Sequence, residues 1–254
     1  MKKKWIYGLI ILILLVLVGI AGYYFFFKSN LARVNEDYIR DNIVQLDLNE
    51  EYIDFYIPES EIKEKEFFFL GETHGVKENY IIDLALFKYL KEKSNIKYYL
   101  AETGYAQGRL INKYIKTGEE EIIRKIFKNL KGTYAYNKSN YEKYKKLHQY
   151  YKSLPDEEKF EFLGIDIDHQ RQSAIWYMNT LLPEKEVPEE IVPIIEHLQE
   201  IEEKGQYDNT QIKTLAEDIK RSINNHHNIC QNYFGDIFWE FELVNNNILN
   251  VYQA

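Results

Sequence analysis

The chain has 254 residues, 40 acidic against 32 basic, for a net charge of −8. An acidic surface repels phosphate backbones, so nucleic acid is excluded as a partner. The single cysteine, Cys230, excludes an internal disulfide and reads as a small buried apolar residue.

Lys2, Lys3 and Lys4 precede an uncharged run from Trp5 to Phe27, which Lys28 closes. The run has 23 residues, and as a helix it reaches about 34 Å, enough to cross a hydrocarbon core. Trp5, Tyr7, Tyr23 and Tyr24 stand near its ends, where amphipathic rings favour the membrane interface. An uncleaved transmembrane helix over 5–27 is expected in preference to a cleaved signal peptide. The lysine bias then leaves residues 1–4 as a cytoplasmic tail and the domain outside, a single-pass membrane protein. Residues 28–50 read as a juxtamembrane linker with a short apolar stripe (Tyr38, Ile39, Ile43, Leu46), and 51–254 as one extracytoplasmic domain.

Within that domain three segments read as buried strands: Phe67–Leu70, Lys97–Ala101 and Phe160–Leu163. Helical spacing is expected over 77–93, where Ile82, Leu86, Tyr89 and Leu90 recur, and then around 105–116, 119–130 and 140–153. From Asp168 onward the pattern is helical: roughly 170–182, 189–204, 210–234 and 238–252, with Pro183, Pro188 and Pro193 as breaks or first-turn residues. Strand, helix, strand with short connections predicts a three-layer α/β/α fold on a parallel or mostly parallel sheet. Three strands are few for such a sheet, and the helical C-terminal part supplies no fourth, so the domain reads as truncated.

In open parallel sheets, ligands bind beyond the carboxyl ends of the strands. Each expected strand runs into acidic or imidazole side chains at that end: Gly71-Glu72-Thr73-His74-Gly75, then Glu102-Thr103-Gly104, then Gly164-Ile165-Asp166-Ile167-Asp168-His169. In extended chain, side chains two apart point the same way, so Glu72 and His74 face one pocket, and a right-handed crossover brings Glu102 to the same mouth. An imidazole flanked by carboxylates is a workable general base. The same Glu72, His74 and Glu102 also form a donor set for a divalent metal. Taken singly, the glycines read as turns and Glu72 as a helix N-terminal acid; the coincidence of three strand ends favours function. Asp166, His169 and Arg109 are expected as supporting or substrate-contacting residues, with a surface ion pair as the plain alternative for Arg109. His226 and His227 diverge by about 100° on a helix and make a poor chelating pair. The tyrosine-rich 134–151 stretch offers rings that could stack on a sugar or other ring, but amphipathic helix packing explains it adequately, and His148 and His197 read as structural.

The strings FFFLGETHGVKENYIIDLALFKYL, KYYLAETGYAQGRLINKYIKTGEEE and FEFLGIDIDHQ resemble the erythromycin-esterase family, over roughly residues 45–185. That family shows a Gly-Glu-x-His-Gly turn or a longer form of it, a strand ending in Glu, and a strand ending in Gly-x-Asp. The resemblance implies an α/β/α hydrolase of a small-molecule ester or lactone that needs no cofactor. His74 would activate water, with Glu72 and Glu102 shaping the site. The family continues into an Arg-Glu or Arg-Asp segment and a His-Asn-x-His strand that are not found here. The wider superfamily includes membrane-tethered, metal-dependent peptidases with a Gly-x-x-His turn and a strand-end Glu, which is the alternative reading. A third is a surface binding protein without catalysis.

Overall fold

The computed structural model describes Trp5, residues 12–25, Glu36, residues 38–41, Ile43, residues 46–48, Ile53, residues 55–205 and residues 208–253. The chain divides into two units, Met1–Asp47 and Leu48–Ala254.

In the first unit a helix runs over residues 12–25. Among the described residues no helix is long and apolar enough to cross a membrane. This overturns the transmembrane helix expected over 5–27, and with it the single-pass placement that put the domain outside. The tail at residues 1–4 and most of the 28–50 linker lie outside the described residues.

The second unit is mostly helical. Its elements are α1 (Glu59–Lys63), α2 (Lys77–Ser94), β1 (Tyr98–Gly104), α3 (Tyr105–Thr117), α4 (Glu120–Asn129), α5 (Lys138–Ser153), β2 (Glu161–Asp166), α6 (Arg171–Thr180), α7 (Val192–Lys204), α8 (Asn209–Asn225), α9 (His227–Phe234) and α10 (Phe238–Val251). Among the described residues the sheet has two strands, β1 and β2, paired in parallel. The three-layer α/β/α expectation is therefore corrected to helices gathered around a two-stranded ribbon. Among the described residues, Phe67–Leu70 belongs to no ladder. A continuous apolar run predicts burial on both faces, yet here only Phe68 finds cover, and Leu70 is exposed along with Phe67 and Phe69. Phe68 packs on a small cluster of Ile62, Tyr89 and Leu90, while Phe67 and Phe69 face outward, Phe69 being 95% exposed.

Helix α3 sits at the centre, packed on β2, α4, α5 and α6. Its apolar face (Leu110, Ile111, Tyr114, Ile115) is fully buried, as i, i+1, i+4, i+5 spacing requires. Gly108 and Gly164 make the close approach to β2 geometrically workable: a Cβ on Gly108 would lie 2.1 Å from the Gly164 nitrogen. The Asn112 side chain then accepts from the Phe162 amide (2.9 Å) and donates to Glu161 (2.6 Å), satisfying the exposed edge of β2. Tyr99 stacks on Phe162 across the ribbon, with ring centres 4.9 Å apart, and Phe87 of α2 meets both Tyr99 and Phe160 edge-on.

Candidate functional site

The ladder register runs Tyr98↔Glu161 to Ala101↔Gly164 and then jumps to Gly104↔Asp166. One extra residue is thus accommodated in β1 around Glu102 and Thr103, the bulge geometry that re-aims side chains at a sheet's rim. Along β1 the alternation leaves Tyr98, Leu100 and Glu102 exposed and Tyr99 buried.

The segment Phe68–Glu72 lines one cavity with Tyr98, Leu100 and Glu102 of β1, and the chain then turns into α2. Gly75 takes φ +80, the left-handed conformation that glycine adopts at no steric cost. The turn is closed by the Val76 amide donating to the Thr73 carbonyl (3.4 Å) and tied to α2 by the Asn79 side chain, which donates to the same carbonyl (2.5 Å). The result places the Glu72 carboxylate 2.7 Å from Nδ1 of His74. Glu72, His74 and Glu102 converge: one ligand atom from each lies within 4.8 Å of the others. All three are exposed and stand at the mouth of a cavity of about 470 Å³.

The inner end of that cavity is aromatic and buried, lined by Tyr80, Phe87, Tyr99 and Tyr144. A charged pair is held among these rings. Lys143 of α5 reaches Asp83 of α2 at 3.0 Å and the Tyr99 hydroxyl at 3.4 Å, while Tyr99 itself donates to Asp83. The ammonium lies over the rings of Tyr144 (5.1 Å), Tyr80 (5.5 Å) and Tyr99 (5.7 Å). Burial opposes the lysine's charge, and the Asp83 carboxylate sustains it; burial also holds the Tyr99 hydroxyl protonated, well above its ordinary range.

The remaining expected site residues lie elsewhere. Asp166 accepts from the Ile167 amide at 2.7 Å and faces His169 at 3.8 Å, so these two meet each other and do not line the cavity. Arg109 turns to α6 and α10 instead. Its Nε donates to Tyr177 (3.1 Å) and is ion-paired with Glu240 of α10 at 3.0 Å, and Glu240 accepts from Tyr105 (2.7 Å) and Tyr177 (2.6 Å). Asp168 is almost wholly buried at the N-terminus of α3, accepting from the Ala106 amide at 2.9 Å and from Asn247 at 3.4 Å. Burial pushes its carboxyl up to about 6 against those hydrogen bonds. Sequence reasoning passed over Asp83, Asn140 and Lys143. The signal available was polar residues in phase with the buried stripe of α5, since Asn140, Lys143, Tyr144 and Leu147 all fall on its covered face.

No family model matches the chain, and no curated protein matches it. Two solved structures resemble part of it. One is a succinoglycan biosynthesis protein, 15% identical with a TM-score of 0.41, matched over 68% of this chain and 42% of that one. The other is a Bacillus cereus protein, 16% identical with a TM-score of 0.40, matched over 69% and 45%. The chain spans less than half the length of either. At these scores the likeness carries no argument about activity.

Proposed function

We propose that this chain is a hydrolase of small-molecule esters or lactones, with His74 as the base that activates water. The observation that carries the reading is the 2.7 Å contact between Glu72 and Nδ1 of His74, beside Glu102 at the mouth of a cavity. A carboxylate on Nδ1 fixes the tautomer that leaves Nε2 unprotonated, and it stabilises the imidazolium that forms. Water oxygen would bond to the acyl carbon as its proton passes to Nε2. The tetrahedral adduct then collapses, and the departing alkoxide takes that proton as it leaves. Glu102 would accept the water's second hydrogen and so orient it. The resemblance of the Glu72–Gly75, Glu102 and Asp166 strings to the erythromycin-esterase family supports the same chemistry.

The test is hydrolysis of a panel of aryl esters and lactones by the purified chain. His74→Ala should lower the rate by about 10²–10⁴-fold, the usual worth of general-base assistance. Unchanged rates in that variant would remove His74 from the reaction. A wild-type chain inert toward the whole panel would leave the reading of a binding protein without catalysis.

One observation favours a second reading, a metal-dependent peptidase. An imidazole and two carboxylates with donor atoms within 4.8 Å of one another make a set that a divalent ion could draw together, leaving a position for water. A bound ion there would acidify that water. Stoichiometric metal in the purified chain, lost in Glu102→Ala, together with inhibition by chelators, would favour this reading. Activity untouched by chelators would exclude it.

A further inference from the structure

The inner wall of the cavity contains one polar group that the protein leaves unused. Asn140 is 3% exposed and lines the cavity, and its Oδ1 has no hydrogen-bond partner among the described residues. The orientation of the amide is settled by its other end, because Nδ2 donates to the Ala135 carbonyl at 2.9 Å and so must be the nitrogen. A buried acceptor without a donor costs roughly 1–3 kcal/mol, and such groups in native proteins call for a partner. Three residues along the same helix face stands Lys143. Its ammonium has three N–H groups and, among the described residues, two acceptors, Asp83 and the Tyr99 hydroxyl. An unsatisfied acceptor and a spare donor, one helical turn apart and flanked by Tyr80 and Tyr144, match what a hydroxyl group offers, since it donates and accepts at once. Aromatic faces on either side suit the C–H faces of a saturated ring.

From this juxtaposition we infer that the inner end of the cavity is a recognition subsite for a hydroxylated ring, a sugar or cyclic polyol, with Asn140 accepting from one of its hydroxyls and Lys143 donating to a ring or neighbouring oxygen. The inference rests on the hydrolase reading only for its purpose: the ring would be the part of the ester held inside while the bond to be cut lies at Glu72, His74 and Glu102. Binding itself needs none of those three residues.

The experiment is ligand-observed NMR on the full chain with myo-inositol, methyl glucopyranoside and, as the deoxygenated control, cyclohexanol. The hydroxyl-rich probes should bind the wild-type chain and compete with each other, and cyclohexanol should bind at least about tenfold more weakly, one hydrogen bond's worth. Asn140→Leu, close in shape but lacking the acceptor, should weaken inositol by about tenfold while leaving cyclohexanol unchanged. In His74→Ala inositol binding should be unaltered. Equal binding of inositol and cyclohexanol by the wild type would overturn the proposal without recourse to any variant, as would failure of both hydroxylated probes to bind. Hydrolysis lost with binding kept, or binding absent with hydrolysis kept, tells the failure of one reading from that of the other.

Discussion

Replacing Gly108 by alanine sets two physical expectations against each other. In a helix interior, alanine is favoured over glycine by about 1 kcal/mol, so on propensity alone Gly108→Ala stabilises α3. The packing gives the opposite sign. The new methyl would lie 2.1 Å from the Gly164 nitrogen, 2.6 Å from its Cα and 3.1 Å from the Leu163 carbonyl carbon, all backbone atoms that no rotamer change can move. Restoring ordinary contact requires α3 and β2 to separate by about 1.3 Å, a gap that forfeits much of the dispersion attraction along the interface. The Asn112 bond to the Phe162 amide would be stretched, leaving a buried donor at a cost of about 1–3 kcal/mol. Overpacking adds about 1–3 kcal/mol of its own. Against the propensity gain, the net loss is about 3 kcal/mol. For a domain of this size 1 kcal/mol moves the midpoint by about 2–4 °C, so the melting temperature should fall by roughly 10 °C. Thermal melts followed by circular dichroism, with urea titration as a second measure, read this directly. A midpoint equal to or above that of the wild type would refute the contact between α3 and β2 as described.

Two further predictions concern buried carboxylates. The Asp168 carboxyl is raised by burial from 3.8 to about 6, so between these values the folded chain binds a proton that the unfolded chain does not. Its contribution to stability is therefore greatest below about pH 4 and declines as pH rises toward 6, by up to about 3 kcal/mol; Asp168→Asn should flatten the urea midpoint over that window. Glu240 accepts from Tyr105 and Tyr177 and is ion-paired with Arg109, and Glu240→Ala strands both hydroxyls and leaves the arginine without its carboxylate. A loss of about 2–4 kcal/mol is expected, less in Glu240→Gln, and a midpoint within about 0.5 kcal/mol of wild type would show that the cluster contributes little.

Helix positions were legible in the sequence because apolar spacing survives any tertiary arrangement. The expected stretches at 77–93, 105–116 and 140–153 correspond to α2, α3 and α5 within two residues at either end. The break inside 210–234 was not anticipated. Here Asn225-His226-His227 carries no proline or glycine, and the helix ends because His226 leaves helical geometry (φ −129, ψ 36), after which His227 packs edge-on against Phe238. The fold class was misjudged at Phe67–Leu70. An apolar quartet ending in glycine satisfies the pattern of a strand, but a strand exists only where a neighbour supplies the ladder, and that is a property of two segments. The apolar run at the N-terminus has the same weakness: composition gave a span long enough for a membrane, whereas among the described residues no helix is long and apolar enough to cross one.

The site was legible in the part that depends on short-range geometry and illegible in the part that depends on rotation about α3 and α5. Glu72 and His74 are two residues apart, and their pairing needs nothing beyond the local turn at His74 and Gly75. The crossover expected to bring Glu102 there is not found, since among the described residues Phe67–Leu70 pairs with no strand, yet Glu102 still has a ligand atom within 4.8 Å of theirs. Arg109 was placed near the mouth because it lies one turn into the helix that follows Glu102, but residues on a helix diverge by about 100° each. Its partner, Glu240, is more than a hundred residues away in α10, beyond any local pattern. Asn140 and Lys143 failed to register for the converse reason. In a stretch rich in tyrosine and lysine they resemble a solvated helix surface, and only the packing of α5 against α2 turns that surface inward, where the Asn140 amide oxygen has no donor among the described residues.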